Sequence, residues 1–454
     1  MKNLFKLLTL IMVVAFSVNA GYALSVQKLD RHIKGSDFNQ TATIAISVRN
    51  VSGDSVVYEY NQKKLLHPAS TLKIFTSYAA INELTYNYFF KTQFYKDSLN
   101  NLYIKLGADP VLNTAQLKKT MGELKDSGNT TFKNLYIDDS IIDKKEFAPG
   151  WMWDDDINPY TPKVSSYNLD GNVVRVEMTK SSNGMMATNL KSSYPMSVIS
   201  SVQSGGQSNY IDVNRYNWSN PEVVEIYGSV KNPQAITIPV SSMRRYYIHT
   251  LEKLMDDNKI TITGTAFASK IVPDNAQLIT EIDNPITKVM SGILQRSNNL
   301  MAESIFKLSG AVKYTSTGTN DLAIMVFKEF YKDNNLSTDE IIIKDGSGVS
   351  RNNLLSADWM TRALDTIYKH KDFAQFKEYM AQPGDGTLAN RLHDLRGDVW
   401  LKTGSLSNVS ALSGYVKSAD GQTYSVALLI QNFNKPQPQI KDFEDEIINI
   451  IHGR

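Results

Sequence analysis

Residues 68–84, PASTLKIFTSYAAINEL, have the composition of a helix and contain no glycine or proline after the first position. Four side chains fall at spacings that place them on one buried face of this helix: Ile74, Phe75, Tyr78 and Ala79. Ser70 comes at the helix start, and Lys73 follows three positions later. The segment therefore predicts a helix that contributes to the core and presents a hydroxyl and an amine near its start.

Strand-like sequence occurs on both sides of this helix. Residues 43–48 (TIAISV) and 55–60 (SVVYEY) are rich in β-branched and aromatic residues and surround Ser52-Gly53-Asp54, which predicts a β-hairpin. Near the end of the chain, residues 399–405, 413–417 and 424–430 have the same character. These segments predict three further strands.

The middle of the chain differs from its two ends. Residues 92–284 form a series of short strand-like runs separated by Gly, Asn and Ser clusters, which predicts one or two inserted β-rich domains. The helical pattern returns at 285, and residues 441–454 predict an amphipathic closing helix. We expect an outer α/β domain formed by residues 24–91 and 285–454.

Length and composition limit the class of protein. A chain of 454 residues exceeds what one hydrophobic core usually holds, so several domains are expected. The net charge is only +2, and no cluster of lysines and arginines suggests a nucleic-acid partner. The sequence contains no cysteine, which excludes disulfides and the lipid-modified cysteine of a bacterial lipoprotein.

Residues 1–20 have the features of an export signal. Two lysines precede an apolar run at 7–16, and Ala20 or Ala23 fits the small residue at a cleavage site. An uncleaved membrane anchor is the alternative, although the run is short for a bilayer span. We predict a mature periplasmic protein without a stable membrane anchor.

Ser70-Thr71-Leu72-Lys73 is the first candidate for chemistry. Residues three apart share a helix face, so the Lys73 amine can approach the Ser70 hydroxyl. A serine becomes a good nucleophile when a base takes its proton, and a lysine can be that base where its pKa is lowered. The pattern alone is weak, because residues 25–28 and 304–307 match it equally. An ordinary helix start is the simpler interpretation of any single match.

Ser297-Asn298-Asn299 is the second candidate. From one short loop, the serine could relay a proton to the leaving group, and Asn299 could bind a substrate amide. Residues 98–100 and 127–129 have the same form, so a plain turn is the alternative.

Lys402-Thr403-Gly404-Ser405 is the third candidate, on a predicted strand. A glycine at 404 lets a substrate backbone lie against the strand. The Lys402 charge and the Thr403 hydroxyl would hold a carboxylate. The Ser405 N–H could form an oxyanion hole with the Ser70 N–H. The alternative is an edge-strand lysine followed by a bulge glycine.

The three motifs are informative together. Ser-x-x-Lys, Ser-x-Asn and Lys-Thr-Gly occur in this order on a predicted helix, a loop and a late strand, as in penicillin-binding proteins and class A β-lactamases. Over essentially the whole mature chain, the sequence resembles the class C low-molecular-mass penicillin-binding proteins (the penicillin-binding protein 4 family). The long gap between Ser70 and Ser297 matches this family, and so do further stretches at 148–155, 345–352, 384–388 and 402–416.

The resemblance implies a fold and an activity. The fold would be an α/β serine β-lactamase/DD-peptidase-like fold, an antiparallel sheet with flanking helices, carrying a large β-rich two-domain insert. The activity would be that of a D-Ala-D-Ala carboxypeptidase and DD-endopeptidase that acts on peptidoglycan stem peptides and cross-links and is acylated by β-lactams. The six histidines show no metal-binding spacing, so we expect no metal and no cofactor, and whether the protein forms a homodimer stays open.

The resemblance also implies roles for individual residues. The principal ones are Ser70 as acylated nucleophile, Lys73 as its base, Ser297 as proton relay, Asn299 as amide contact, and Lys402 with Thr403 as the carboxylate site. Asp155 and Arg351 would help to recognise the diamino acid side chain of the stem peptide. Asp155 lies in a run of three aspartates, so a shift of one residue would change its assignment.

Two other classes of function remain open at this point. A β-lactamase or esterase could use the same fold, although the sequence shows no recognisable acidic residue for rapid deacylation. A non-catalytic cell-wall binding protein is the second alternative, but a pure binder has no use for a serine–lysine pair.

Overall fold

The computed structural model describes residues 24–181, 184–206, 209–215 and 220–454. The predicted export signal at 1–20 lies outside these residues. The chain divides into two compact units. The first contains the described residues up to Ala79 together with Met290–Ser297 and Val326–Arg454, and the second contains Ala80–Val289 and Asn298–Met325.

The helices are α1 (Val26–Lys34), α2 (Leu72–Leu84), α3 (Thr114–Asp126), α4 (Met243–Asp257), α5 (Ile286–Leu294), α6 (Asn299–Tyr314), α7 (Asn320–Asp333), α8 (Ala357–Lys369), α9 (Phe373–Lys377) and α10 (Gln437–His452). The strands are β1 (Thr43–Asn50), β2 (Ser55–Tyr60), β3 (Phe89–Lys96), β4 (Leu102–Lys105), β5 (Thr131–Phe132), β6 (Leu135–Asp138), β7 (Val173–Lys180), β8 (Met186–Leu190), β9 (Ser197–Ser204), β10 (Tyr210–Asn214), β11 (Val223–Val230), β12 (Gln234–Pro239), β13 (Thr261–Ile262), β14 (Ala268–Ser269), β15 (Gln277–Pro285), β16 (Val399–Leu406), β17 (Val409–Lys417) and β18 (Thr423–Gln431).

A five-stranded antiparallel sheet forms the centre of the first unit, in the order β16-β17-β18-β1-β2. The predicted hairpin and the three predicted late strands supply all five strands. The pairing of β1 with β18 brings the two ends of the chain together in one sheet, with Ile46 opposite Leu428. Strand β18 lies in the middle of the sheet and is almost wholly buried, as its continuous apolar sequence requires.

The closing helix α10 covers one face of this sheet. It buries the four residues expected from its sequence pattern: Phe443, Ile447, Ile448 and Ile451. Its buried Glu444 accepts a hydrogen bond from Ser410 on β17 (2.6 Å), which joins the helix to the sheet, and forms an ion pair with Arg391 (2.9 Å). On the opposite face, the Tyr415 hydroxyl donates to the Leu364 carbonyl of α8 (2.8 Å).

The second unit is built mainly from short strands. It contains the sheets β14-β6-β4-β3-β15, β12-β7-β8, β10-β11-β9 and β13-β5. Its bounds are wider than those of the predicted insert at 92–284, because it begins at Ala80 and also contains Asn298–Met325. Helices α3 and α4 were missed by the strand-based prediction. Asn113 and Ser242 cap these helices by accepting hydrogen bonds from the first turns. Both are residue types preferred at helix starts, so the sequence did carry a signal for the two helices.

The helical pattern predicted from 285 is interrupted at the second motif, where the sequence predicts a short loop. Helix α5 ends at Leu294, and α6 begins at Asn299. Between them, Ser297 has a left-handed φ of 62°, and Asn298 caps α6 by accepting a hydrogen bond from the Met301 N–H (2.9 Å). Among the residues that the structure describes, no helix is both long and apolar enough to cross a bilayer.

Candidate active site

Ser70 lies on a tight turn immediately before α2. Residues Ala69–Thr71 form a 3-10 turn, and the α-helix itself begins two residues later than the sequence suggests. The Thr71 hydroxyl closes the turn by donating to the Pro68 carbonyl (2.6 Å). Ser70 is half-buried, whereas Ala69 and Thr71 are fully buried. The turn therefore presents the serine side chain at the edge of the core.

The Lys73 amine is in direct contact with this serine. Its Nζ donates to Ser70 Oγ (2.9 Å) and to the Ser347 carbonyl (2.5 Å), and the lysine side chain is completely buried. A hydroxyl in hydrogen-bond contact with an amine has the arrangement of a nucleophile and its base. The structure thus brings together the two residues of the first motif.

The strand that carries the third motif passes directly beside the serine turn. A Cβ placed on Gly404 would lie 3.0 Å from the Ser70 amide nitrogen and 2.9 Å from the Pro68 carbonyl oxygen. Any larger residue would hold the strand away from the turn. Glycine therefore allows β16 to pass close to the Ser70 backbone, an approach that the predicted oxyanion hole requires.

Strand β16 also carries Lys402, which is buried like Lys73. Its Nζ donates to the Thr403 carbonyl (2.8 Å). Burial lowers the pKa of the Lys402 amine well below its ordinary value, and the charge of the nearby Lys73 lowers it further. A bound carboxylate would counter both effects, because an opposite charge favours the protonated amine. Such strongly perturbed amines are concentrated at functional sites.

The remaining predicted residues of the first unit are Ser297 and Arg351. Ser297 occupies the turn after α5 and is half-buried. Arg351 follows the Asp345-Gly346-Ser347-Gly348 run, whose Ser347 carbonyl binds Lys73, and is also half-buried. The sequence motifs did not assign a role to this carbonyl. The glycine-rich run itself was a visible signal, since such loops allow close approach of a backbone.

Asn299 and Asp155 lie in the second unit. Asn299 is the first residue of α6, and its Nδ2 donates to the Tyr160 carbonyl (2.5 Å). Asp155 lies in a 3-10 turn, Trp153–Ile157, where its carboxylate accepts a hydrogen bond from the Met152 N–H (2.8 Å).

The acidic run around Asp155 divides by environment. Asp154 is exposed, Asp155 is half-buried, and Asp156 is paired with Lys163 (2.7 Å) and with Arg215. The salt bridges give Asp156 a structural role. The role of Asp155 in recognising a substrate stays a prediction.

The two competing Ser-x-x-Lys matches have structural roles. Ser25 caps α1 by accepting a hydrogen bond from the Lys28 N–H (3.3 Å). In the other match, Ser304 Oγ accepts from Asn168 (3.2 Å), and Lys307 forms an ion pair with Asp143 (2.7 Å).

Within the described part of the chain, no group of three potential protein ligands could hold a metal ion.

Comparisons with known proteins agree with this geometry. The chain is 23% identical over 427 residues to the D-alanyl-D-alanine carboxypeptidase DacB of Haemophilus influenzae, covering 89% of each chain. It is 25% identical over 416 residues to a D-alanyl-D-alanine carboxypeptidase of Actinomadura sp. strain R39, covering 84% of this chain and 76% of the relative.

The crystal structure of penicillin binding protein 4 from Haemophilus influenzae is similar over 94% of this chain and 99% of its own, with a TM-score of 0.82 and 22% identity. A second structure of that protein is complexed with a β-lactam and gives a TM-score of 0.77. The expected DD-peptidase-like fold and the resemblance to class C penicillin-binding proteins are confirmed. Residues 25–451 match the family described as D-Ala-D-Ala carboxypeptidase 3 (S13), and the chain belongs to this family.

Proposed function

We propose that Ser70 is the nucleophile through which this chain acts as a D-Ala-D-Ala carboxypeptidase and DD-endopeptidase on peptidoglycan. The observation that carries the proposal is the 2.9 Å hydrogen bond between Lys73 Nζ and Ser70 Oγ. Lys73, in its neutral form, takes the hydroxyl proton as Ser70 Oγ attacks the carbonyl of the penultimate D-alanine. The peptide bond to the last residue breaks, an acyl-serine ester forms, and water then releases the shortened peptide.

The other predicted residues have separate tasks in this reaction. The N–H groups of Ser70 and Ser405 bind the oxyanion of the tetrahedral intermediate. Lys402 and the Thr403 hydroxyl hold the terminal carboxylate of the substrate. Ser297 passes a proton to the leaving amine.

Two further contacts fix the peptide and its side chain. Asn299 binds a substrate amide, and Asp155 with Arg351 recognises the diamino acid of the stem peptide. A β-lactam imitates the D-Ala-D-Ala end and acylates the same serine, giving a long-lived ester.

We also propose that residues 1–20 direct export to the periplasm and are then removed, which N-terminal sequencing of the mature protein would test.

The direct test is hydrolysis of a peptide that ends in D-Ala-D-Ala. Purified protein should release D-alanine, and it should gain the mass of one penicillin G on intact-mass spectrometry. Ser70→Ala should abolish both. Ser25→Ala, which changes the serine of another Ser-x-x-Lys match, should retain both. Unchanged turnover in Ser70→Ala would reject the assignment, and rapid loss of the adduct from the unchanged protein would indicate a β-lactamase.

A further inference from the structure

The loop at 345–353 of the first unit is folded around one buried carboxylate. Asp345 is completely buried. Its oxygens accept hydrogen bonds from the Gly348 N–H (2.8 Å), the Ser350 N–H (2.6 Å) and the Asn353 side-chain amide (2.7 Å). Hydrogen bonds to an ionised carboxylate are stronger than those between neutral groups. Asp345 therefore fixes the path of the loop over several residues.

This loop holds the helix that carries the lysine. The Ser347 carbonyl accepts the hydrogen bond from Lys73 Nζ (2.5 Å). One residue earlier, the Gly346 carbonyl accepts a hydrogen bond from the Thr76 hydroxyl (2.7 Å), one turn further along α2. Two successive carbonyls of the loop are thus directed at the same helix.

The loop also lies against the serine turn. Gly348 has a φ of +82°, and a Cβ added to it would stand 1.9 Å from the Ala69 carbonyl oxygen and 3.2 Å from the Ser70 amide nitrogen. Only glycine fits this conformation and this distance. A small shift of the loop would consequently move backbone atoms that contact the turn around Ser70.

We infer that Asp345 is a positioning residue for the Lys73 amine, acting through the Ser347 carbonyl. The inference rests on the proposed function, in which Lys73 is the base. A lysine side chain has four rotatable bonds, so Lys73 Nζ stays next to Ser70 Oγ only while its other contacts hold it there. The Ser347 carbonyl is such a contact, and the Asp345 carboxylate keeps that carbonyl in place.

A purely structural role for Asp345 makes a different prediction. If the carboxylate only stabilised the fold, its loss would reduce the fraction of folded protein, and the remaining folded molecules would react at the normal rate. A positioning role instead lowers the rate constant of acylation in protein that is folded. The amplitude and the rate of acylation by penicillin G separate the two roles.

Two variants and a matched control test the inference. Asp345→Asn removes the charge that orders the loop, and Thr76→Val removes one hydrogen bond between α2 and the Gly346 carbonyl. Thr361→Val is the control, because Thr361 is equally buried and likewise bonds its own helix (Ala357 carbonyl, 3.2 Å) and one distant group (Ser47 Oγ, 2.8 Å).

Acylation of the full mature chain by penicillin G is followed by intact-mass spectrometry over a range of drug concentrations, which gives the rate constant, the apparent Kd and the amplitude. We expect the rate constant to fall roughly 10²-fold in Asp345→Asn and roughly threefold to tenfold in Thr76→Val. The amplitude and Kd should change little, and Thr361→Val should react at the normal rate.

A normal rate constant with a reduced amplitude in Asp345→Asn would overturn the inference. Should that variant fail to fold, a normal rate in Thr76→Val would overturn it instead. Failure of the proposed function gives a different result, because the unchanged protein would then form no adduct at all.

Discussion

Lys402 and Lys73 share one buried region, in which burial and then the charge of Lys73 hold the pKa of the Lys402 amine well below its ordinary value. Two neighbouring amines in a protein interior disfavour each other's protonated forms. A substrate carboxylate bound beside Lys402 would favour its protonated form. Part of the binding free energy would therefore come from relieving this repulsion.

Lys402→Met should separate stability from activity. Because folding lowers the pKa of Lys402, the unfolded chain holds the proton of this amine more tightly. The folded state is therefore penalised at pH values below the ordinary lysine pKa, and it gains stability as the pH rises towards that pKa. Removing the amine should raise the midpoint of thermal unfolding at pH 7. It should also lower kcat/KM for a D-Ala-D-Ala peptide by roughly 10- to 10²-fold, because a charged hydrogen bond to the carboxylate is lost.

Lys417→Met is the control for this prediction, since Lys417 lies at the exposed end of the neighbouring strand β17. Neither its thermal midpoint nor its activity should change. A lower midpoint in Lys402→Met would show that the buried amine stabilises the fold, contrary to the argument.

Gly404→Ala should slow acylation by pushing β16 away from the serine turn. The added methyl would meet the Pro68 carbonyl oxygen at 2.9 Å and the Ser70 nitrogen at 3.0 Å, so one of the two backbones must move. A displacement of this size near the reacting atoms can reduce a rate by roughly 10²-fold. The rate of penicillin acylation measures it.

Gly122→Ala is the control, because it makes the same substitution at a position with room for the added methyl. Gly122 lies inside α3, and its added methyl would have no atom within 4 Å beyond its chain neighbours and the backbone of its own helix. It should stabilise the protein by about 0.5–1 kcal/mol and leave the acylation rate unchanged. Equal rates in the two glycine variants would mean that β16 tolerates the extra atom.

The sequence predicted the first unit well because its signals are local. The hairpin around Gly53 and the late strands are rich in β-branched and aromatic residues and are joined by turn residues, and α10 buries its expected apolar face. The pairing of β1 with β18 is different, because no local pattern specifies which strands from opposite ends of a chain become neighbours. The family resemblance implied an antiparallel sheet but did not specify this pairing.

The candidate site was predicted only in part, for a similar reason. Side chains that carry chemistry, such as those of Ser70 and Lys402, can be recognised in a motif. A backbone carbonyl cannot, because every residue has one, and so the Ser347 contact to Lys73 was not predicted. The loop at Ser297 was predicted, and Asn298 caps the helix that follows it.

Asp155 and Asp156 should respond differently to the same substitution. Asp156 pairs with Lys163 and Arg215, and Arg215 is almost fully buried, so Asp156→Asn should destabilise the fold by about 3 kcal/mol or more. Asp155→Asn can still accept the Met152 hydrogen bond and should lose less stability than Asp156→Asn.

The substrate distinguishes the two variants further. If Asp155 binds the free amine of the diamino acid, Asp155→Asn should lower kcat/KM roughly tenfold for a stem peptide with that amine, and hardly at all for one in which it is acetylated. The same loss on both peptides would remove Asp155 from the specificity site, and Asp154→Asn would then be the next variant to measure.

Asp109 in the second unit should make stability depend on pH. Burial raises the pKa of its carboxyl from 3.8 to about 6, although the Asn284 side chain donates a hydrogen bond to it (2.6 Å). A raised acid pKa means that the folded state holds the proton more tightly, so stability is fully present below about pH 4 and is lost as pH rises towards 6. The loss is about 3 kcal/mol.

Asp109→Asn removes this titration, and urea unfolding at pH 4 and pH 7.5 measures the effect. The unchanged protein should lose most of about 3 kcal/mol of unfolding free energy between pH 4 and pH 7.5, relative to the variant. Asp274→Asn, at an exposed position, should follow the unchanged protein at both pH values. Hydrogen bonds that Asp109→Asn loses would lower its stability equally at both pH values. They therefore cannot account for a difference that depends on pH. Parallel behaviour of the two proteins would show that Asp109 is ionised in the fold without a penalty.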